Sequence, residues 1–515
     1  VSGRAGRAGG RRRAGERATD TQVVVVGAGP VGLLLAGELR LGGADVVVVE
    51  RLAEPTTESR ASTVHARTME LLDQRGLLPR LGAQDRETRG HFGGLPLQLD
   101  DLPSPFAGLW KIPQARIEAL LADWAVGLGA RVRRRHELIG LEPGPTGVTA
   151  RLAGPEGTST LRADYLVGCD GERSTVRELA GIPFPGAAAG REMLRADVAG
   201  VDVRGRRFER LAAGLAVAAR RPDGVTRVMV HRFGAPPVER SREPAFAEVA
   251  DVWAEVTGES IGHGTPLWVN AFDDTSRQAA RYRAGRVLLA GDAAHAQLPV
   301  GGQALNLGLQ DAANLGWKLA ATVAGHAPDG LLDSYHRERH PVGARTMTNI
   351  RAQAQVLLGA HDVDPLREVL AELLAFAPVR RHLAAMIAGL DIRYDIGGGD
   401  HPLLGRRLPP TRLTTGHGAT GTSALLAAGR GVLLDLAPPG AVPRVAVAAP
   451  WADRAVTAAA RAERGGPLDG LTGLLLRPDG HVVWVGGSGG GGGDLDSALC
   501  RWFGEPRPRS RRSAA

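Results

Sequence analysis

Continuous runs of β-branched residues alternate with helical stripes along most of this chain. Val23-Val24-Val25-Val26 and Val46-Val47-Val48-Val49 are apolar runs of strand length, which predicts strands buried on both faces of a parallel sheet. Between them a helix over 30–41 carries Leu33, Leu34, Leu35, Ala36 and Leu39 toward that sheet. Ala66 to Asp73, stopped by Gly76, predicts a second helix, and 113–128 a third with Ile117, Leu120, Leu121 and Trp124 on one face. From about 131 to 168 the pattern changes to short strands, with turn signals at Pro143-Gly144-Pro145 and Gly154-Pro155. Residues 91–109 are a Gly-, Pro- and Leu-rich excursion, and 185–275 are strand-rich, with alternation over 227–233 and 267–272. A buried strand over 286–292 feeds a long helix from about Gly302 to Ala324, and helices fill 330–390. After Gly397-Gly398-Gly399 a further unit shows strands at 431–435, 474–480 and 481–485, a turn at Pro478-Asp479-Gly480 and a terminal helix at 495–503.

The first strand, turn and helix carry Gly27-Ala28-Gly29-Pro30-Val31-Gly32, and the second strand ends in Glu50. Gly27 permits the tight turn, Gly29 lets backbone N–H groups approach a pyrophosphate, and Gly32 lets the helix lie close to the strand. Glu50 stands where an acid takes ribose hydroxyls. With strand and helix both in place, the pattern predicts a dinucleotide site.

A chain of 515 residues divides into two to four domains. The net charge of +8 sits at the ends: 1–20 and 501–515 each carry +4, leaving the body neutral. We read these ends as solvated tails and expect no nucleic-acid or membrane partner. No apolar stretch follows Arg13, so we expect neither a signal peptide nor a spanning helix, and a cytoplasmic protein. Cys169 and Cys500 are the two cysteines, with no CxxC and no metal-ligand spacing, so neither a disulfide framework nor a metal site is expected.

Two later segments sharpen the reading: Cys169-Asp170-Gly171-Glu172-Arg173-Ser174-Thr175-Val176-Arg177, and Gly291-Asp292-Ala293-Ala294-His295 followed by Pro299-Val300-Gly301-Gly302-Gln303-Ala304-Leu305-Asn306. With the glycine fingerprint they resemble, over about 21–400, the single-component FAD-dependent aromatic hydroxylases of the para-hydroxybenzoate hydroxylase group. Further segments, among them Leu72-Asp73-Gln74-Arg75-Gly76, Gln310 to Lys318 and Ser334 to His340, are similar to the bacterial hydroxylases that tailor aromatic polyketides and to the rifampicin monooxygenases.

That resemblance implies an α/β fold: a Rossmann-like FAD-binding domain (21–184 and 276–400), an inserted β-sheet substrate domain (185–275) and a thioredoxin-like domain without CxxC (401–505), with basic tails at 1–20 and 506–515. It implies FAD, transiently bound NADPH and dioxygen, with a small aromatic substrate and a monomer or homodimer. The reaction would be hydroxylation of a polycyclic phenol through a flavin hydroperoxide. Baeyer–Villiger oxygenation, inactivation of an ansamycin antibiotic and a non-catalytic flavoprotein are the alternatives. Pro299 would line the oxygen-transfer position, with Gly301 and Gly302 letting the isoalloxazine lie on bare backbone. The implied FAD contacts are Gly27, Gly29, Pro30, Val31, Gly32, Glu50, Arg51, Arg60, Gln114, Asp170, Gly171, Asp292, Pro299, Gly302, Ala304, Leu305 and Asn306. The lesser readings are Arg60 as a solvated loop residue and Gln114 as a helix cap, while Asp170 also reads as an N-cap, and Asp170 and Gly171 also lie on the NADPH path in the family. Phe233, Trp268 and Phe272 are expected at the substrate, though each alone fits a core position. The chain departs from the family at Ala304, where Gly is usual, and at Gln297, near where a second His is common, so no proton relay is assigned. His295 reads as a packed residue.

Overall fold

The computed structural model describes residues 19–56, 63–240, 242–438, 444–487, 491 and 493–507. Thr21–Val26 pairs in parallel with Val46–Glu50 on one side and with Gly157–Gly168 on the other. Val287–Leu289 and Arg131–Arg134 extend the parallel sheet in the two directions. The valines at 23–25 and 46–49 are wholly buried, the environment that continuous apolar strands require. Helices Pro30–Leu41, Gln114–Gly127 and Gln303–Val323 pack together against it. Small residues make this possible: a Cβ on Gly37 would sit 2.0 Å from the Trp124 ring, and one on Gly316 would sit 2.3 Å from Glu38 Cβ. Antiparallel strands Glu137–Pro143 and Val148–Gly154 extend from Gly157–Gly168, adding Leu138, Ala150 and Leu152 to the same core.

A second sheet runs in the order Arg206–Arg210, Gly214–Arg220, Thr226–Arg232, Glu192–Ala199, Thr265–Asp273. One face packs on helix Phe246–Thr257 through Val249, Trp253 and Val256. The sequence reading named no helix here, although Phe246, Val249, Trp253 and Val256 keep helical spacing. The other face turns Met193, Leu215 and Phe272 toward Leu298 and Val300.

At the C-terminal end, Gly431–Asp435 is parallel to Ala455–Ala462 and antiparallel to Gly473–Leu476, which forms a hairpin with Val482–Gly486 before helix Leu495–Phe503. This is the strand–helix–strand then hairpin–helix order of a thioredoxin-like fold, with the hairpin Arg412–Thr415/Gly418–Gly421 added at one edge. Its turn is an anchor. Arg67 and Arg75 donate to the carbonyls of Asp479 and Pro478 at 2.8 and 2.9 Å. Arg477 donates to Glu338 at 2.7 and 2.9 Å and also pairs with Asp479. Glu338 further accepts from Lys318 at 2.8 Å and Asn314 at 2.7 Å.

Burial opposes ionisation of Glu338, but the Arg477 and Lys318 charges overcome it and hold its carboxyl down at about 2, against 4.5 ordinarily. A carboxyl with a depressed folded value contributes stability above its unfolded value and loses it as pH falls toward the folded one. Glu338→Gln should therefore cost about 3 kcal/mol in urea unfolding near neutrality, where it leaves buried cations under-compensated. The variant should also show a flatter loss of stability than the parent between pH 4.5 and 2.

Candidate active site

Gly27 has φ +102°, and a Cβ there would lie 2.3 Å from the Cys169 carbonyl oxygen. A Cβ on Gly32 would lie 2.1 Å from the Gly27 carbonyl oxygen, so the helix starts where only glycine fits. Gly29 differs: it faces open space, with nothing within 4 Å of its Cβ position. It N-caps helix Pro30–Leu41, whose first turn has neither a side-chain cap nor an acid. An uncapped helix start behind bare backbone is a cradle for a phosphate. Glu50 accepts from the N–H groups of Ala28 and Leu52 at 2.8 Å each, closing the turn. Arg51 is exposed beside it, Pro30 is buried and Val31 half-buried. Gln114 is the first residue of its helix, with Pro113 at the cap position, and Arg60 lies outside the described residues.

Gly168 ends the central strand, and the Asp170 carboxylate accepts from Ser174 Oγ at 2.6 Å and from the Val176 N–H at 3.0 Å. The helix opening there is Thr175–Leu179, and its N-cap is Ser174, which accepts from the Arg177 N–H at 3.0 Å. Asp170 thus braces the cap rather than serving as one. Burial outweighs these hydrogen bonds and moves the Asp170 carboxyl above its ordinary range. Gly171, at φ +82°, faces open space. Burial, with the Asp273 and Asp292 charges, likewise moves the Glu172 carboxyl up. Asp292 is exposed on the turn Gly291–Ala293.

Gly301 and Gly302 are consecutive left-handed residues, at φ +67° and +68°, and Gly302 caps helix Gln303–Val323 with no side-chain cap and no acid in its first turn. Pro299 is exposed ahead of them; Ala304 and Leu305 are half-buried in the first helical turn. The amide of Asn306 is fully engaged within the protein. Its Nδ2 donates to the carbonyls of Gly302 (2.7 Å) and Thr63 (3.2 Å), while its Oδ1 accepts from His65 N (2.9 Å) and Thr68 Oγ1 (2.7 Å). It therefore sets the loop from behind. His295 is a packed residue, as read from the sequence: its Nε2 meets Asp311 at 2.7 Å, and Asp311 also takes Arg339 at 2.7 Å and the Gly291 N–H at 3.3 Å. Burial opposes the Asp311 charge, but Arg339 and His295 hold the carboxyl below its ordinary range.

The three aromatics separate. Phe233 and Phe272 pack on the cluster containing Leu298 and Val300, ahead of the Gly301–Gly302 turn. Trp268 lies four residues before Phe272 on the same strand and off that cluster, with Arg227 at 5.9 Å from its ring and Arg195 between the two, 4.5 Å from Trp268 and 5.2 Å from Phe272. Sequence reasoning did not single out His65, which is fully buried beneath Gly302, or the ladder from the Gly93 N–H through Gln353 and Asn349 to Gln303, at 3.2, 3.2 and 3.1 Å. The helix that carries Asn349 and Gln353 is rich in charged and polar residues, so no pattern along the chain marked these amides as buried. Among the described residues no group of His, Cys, Asp and Glu is placed to hold a metal ion.

The parallel sheet with its glycine-bounded first turn is of the Rossmann class, and the two glycine-led helix starts, one beneath an open glycine and one beneath a double left-handed glycine turn, fit FAD. The comparisons agree. Residues 20–350 match the FAD binding domain model, and 401–506 match the aromatic-ring hydroxylase C-terminal model. The chain is 45% identical over 514 residues to a 12-dehydrotetracycline 5-monooxygenase/anhydrotetracycline 6-monooxygenase of Streptomyces rimosus, covering 94% of this chain and 99% of that one. It is 42% identical over 501 residues to a rifampicin monooxygenase of Streptomyces venezuelae, covering 94% and 98%. The solved structure of CabE, an aromatic hydroxylase from angucycline biosynthesis, superposes with a TM-score of 0.91 at 48% identity, covering 95% of this chain and 100% of that one. The chain belongs to the FAD-dependent aromatic-ring hydroxylases and is a flavin monooxygenase.

Two substitutions separate fold from cofactor. Gly29→Ala should leave the unfolding free energy of the apoprotein within about 0.5 kcal/mol, since its Cβ meets nothing. It should nevertheless weaken FAD roughly tenfold or more, by filling the cradle. Gly32→Val should lower both stability and FAD affinity, because its side chain collides with the Gly27 carbonyl. Fluorescence titration with FAD and apoprotein melting read the two effects.

Proposed function

We propose that this protein hydroxylates a polycyclic aromatic phenol of polyketide type, using NADPH as a transient hydride donor and dioxygen as the second substrate. The observation that carries the reading is the apolar seam formed by Met193, Leu215 and Phe272 with Leu298 and Val300, directly before the Gly301–Gly302 turn. Residues 185–275 then serve as the substrate domain, packed on the flavin-binding parts at 21–184 and 276–400, with 401–505 as the C-terminal domain.

Bound FAD supplies the electron transfer and oxygen activation. The chain's own residues hold and shield it. The Gly29 helix start would take the pyrophosphate, Glu50 and Arg51 would serve the adenosine ribose, and Asp292 the ribitol. The N–H groups of the helix start at Gly302 would favour negative charge on a ring bound there. The two left-handed glycines let the ring lie against backbone without a Cβ between them. Leu298, Val300 and Phe272 exclude water from the face where the substrate stacks. Gly416-His417-Gly418-Ala419-Thr420-Gly421 repeats the glycine spacing but lies in the hairpin Arg412–Thr415/Gly418–Gly421 and not between a parallel strand and its helix, which fits a nicotinamide that visits rather than docks on its own domain.

The test is NADPH oxidation by FAD-loaded protein with angucyclic, tetracyclic and ansamycin phenols, with product mass and NMR read on the same samples. Stimulated oxidation with a gain of one oxygen as a new ring hydroxyl is expected with an angucyclic or tetracyclic phenol. A lactone product would assign Baeyer–Villiger chemistry instead, and turnover of the ansamycin alone would assign drug inactivation. Phe272→Ala should raise KM for the phenol several-fold through lost apolar contact, with FAD affinity unchanged.

A further inference from the structure

Behind the flavin-facing helix lies a cavity of about 310 Å³, enclosed by helices Gln303–Val323, Asp333–Leu358 and Ala377–Ala388 and the segment 389–395. That volume is at the lower end of ligand sites, which run about 300–1,000 Å³. It is separate from the seam at Leu298 and Val300, neither of which lines it. We propose that this cavity is a second binding site, for an uncharged aromatic molecule of one or two rings carrying a carbonyl at one end and a hydroxyl at the other.

The chemistry of the walls selects that class. Leu307, Val342, Met386 and Ile387 supply an apolar slot suited to a flat ring. At the inner end stands Gln303, 3% exposed. Its Oε1 is committed to Asn349 at 3.1 Å, and its buried Nε2 has no hydrogen-bond partner among the described residues. An unmet buried amide donor is costly, and a carbonyl acceptor satisfies it. On the opposite wall Pro341 sits inside its helix and has no N–H to give the Arg337 carbonyl four residues earlier; both residues line the cavity. That carbonyl is an acceptor for a ligand hydroxyl. Of the charged residues that line it, Arg337, Arg345, Arg393 and Asp395 are exposed, Arg345 pairs with Asp391 at 2.5 Å, and the buried Glu338 is already compensated by Arg477 and Lys318, so a buried ligand charge would find no free counter-charge.

The inner wall also touches what supports the flavin turn. Gln303 directly follows Gly302, and its Nε2 lies 3.4 Å from the position a Gly301 Cβ would take. The Ile387 carbonyl accepts from His65 Nδ1 at 2.7 Å, and burial lowers His65 to about 4, so the ring is neutral with its proton on Nδ1. Its bare Nε2 lies 3.3 Å from the Gly302 Cβ position. A ligand seated on Gln303 and Ile387 therefore presses on both props of the Gly301–Gly302 turn.

The experiment uses full-length, FAD-loaded protein without NADPH, so that no turnover occurs, and 4-hydroxyacetophenone as probe. Calorimetry reads binding, and the visible spectrum reads the flavin. Saturable binding with a flavin difference spectrum is expected. Thr346→Trp, which fills the cavity from its wall, should weaken binding at least about tenfold and abolish the spectral change. Gln303→Leu should weaken binding about fivefold through the lost hydrogen bond. Met386→Trp fills the cavity from the opposite helix and replaces Thr346→Trp if that variant melts early or loses FAD. Absence of saturable binding overturns the proposal, as does equal binding by folded, cavity-filled variants, which would place the phenol at the substrate seam. Because no oxygenation is measured, failure of the hydroxylase reading leaves this result untouched, and the reverse holds too.

Discussion

The helix Gln303–Val323 buries a polar ridge, and the positions of its neighbours follow from that. Gln303, Asn306, Gln310, Asp311, Asn314 and Lys318 recur at helical spacing and are all buried, where each unpaired group would cost stability. Their partners are supplied from across the molecule. Asn306 captures the strand at 63–65, Asp311 captures His295 and Arg339, and Asn314 and Lys318 capture Glu338. The same helix begins at Gly302, so the double-glycine turn ahead of it is held by these contacts.

The C-terminal sheet gains its role from this arrangement. It has no CxxC, and neither cysteine is placed to exchange with the other, so thiol chemistry is not its contribution. What it brings is the hairpin turn at 478–480. Through Arg477 and the Asp479 and Pro478 carbonyls, that turn reaches Glu338, Arg67 and Arg75, and Arg75 in turn grips Glu38 on the first helix at 2.6 and 2.9 Å. Charges paired out of water cost heavily if one partner is lost, so the sheet acts as a fixed buttress for the cofactor-binding half. The middle sheet is joined both by apolar packing of Met193, Leu215 and Phe272 on Leu298, Val300 and Leu357 and by Arg210, which donates to the carbonyls of Leu357, Gly359 and Ala360 and pairs with Asp364 at 2.9 Å.

Much of this was legible along the chain. Strands at 21–26 and 46–50, helices at 30–41, 66–74 and 495–503, and the glycine geometry at 27–32 and 301–302 depend on periodicity and on local backbone sterics. A polar stripe on a helix, however, normally marks a solvated face, and nothing near Asn306 or Asp311 in sequence says that theirs is buried. Asp170 could be assigned to a cap, but that Ser174 takes the cap and Asp170 braces it depends on where the chain turns after Gly171. Trp268 and Phe272 share one strand and one alternation, yet only Phe272 reaches the flavin-side cluster, because the strand is longer than the contact.

The sequence by itself determined the cofactor class and the order of elements, since a glycine-bounded strand–turn–helix and buried apolar strands are encoded in neighbouring residues. Only the tertiary structure decided which polar groups are buried and satisfied, which aromatics pack on Leu298 and Val300, and that a cavity lies beside Gln303. Those properties join residues as distant as Glu338 and Arg477, 139 positions apart, and a chain pattern holds no record of which distant partner will neutralise a buried charge.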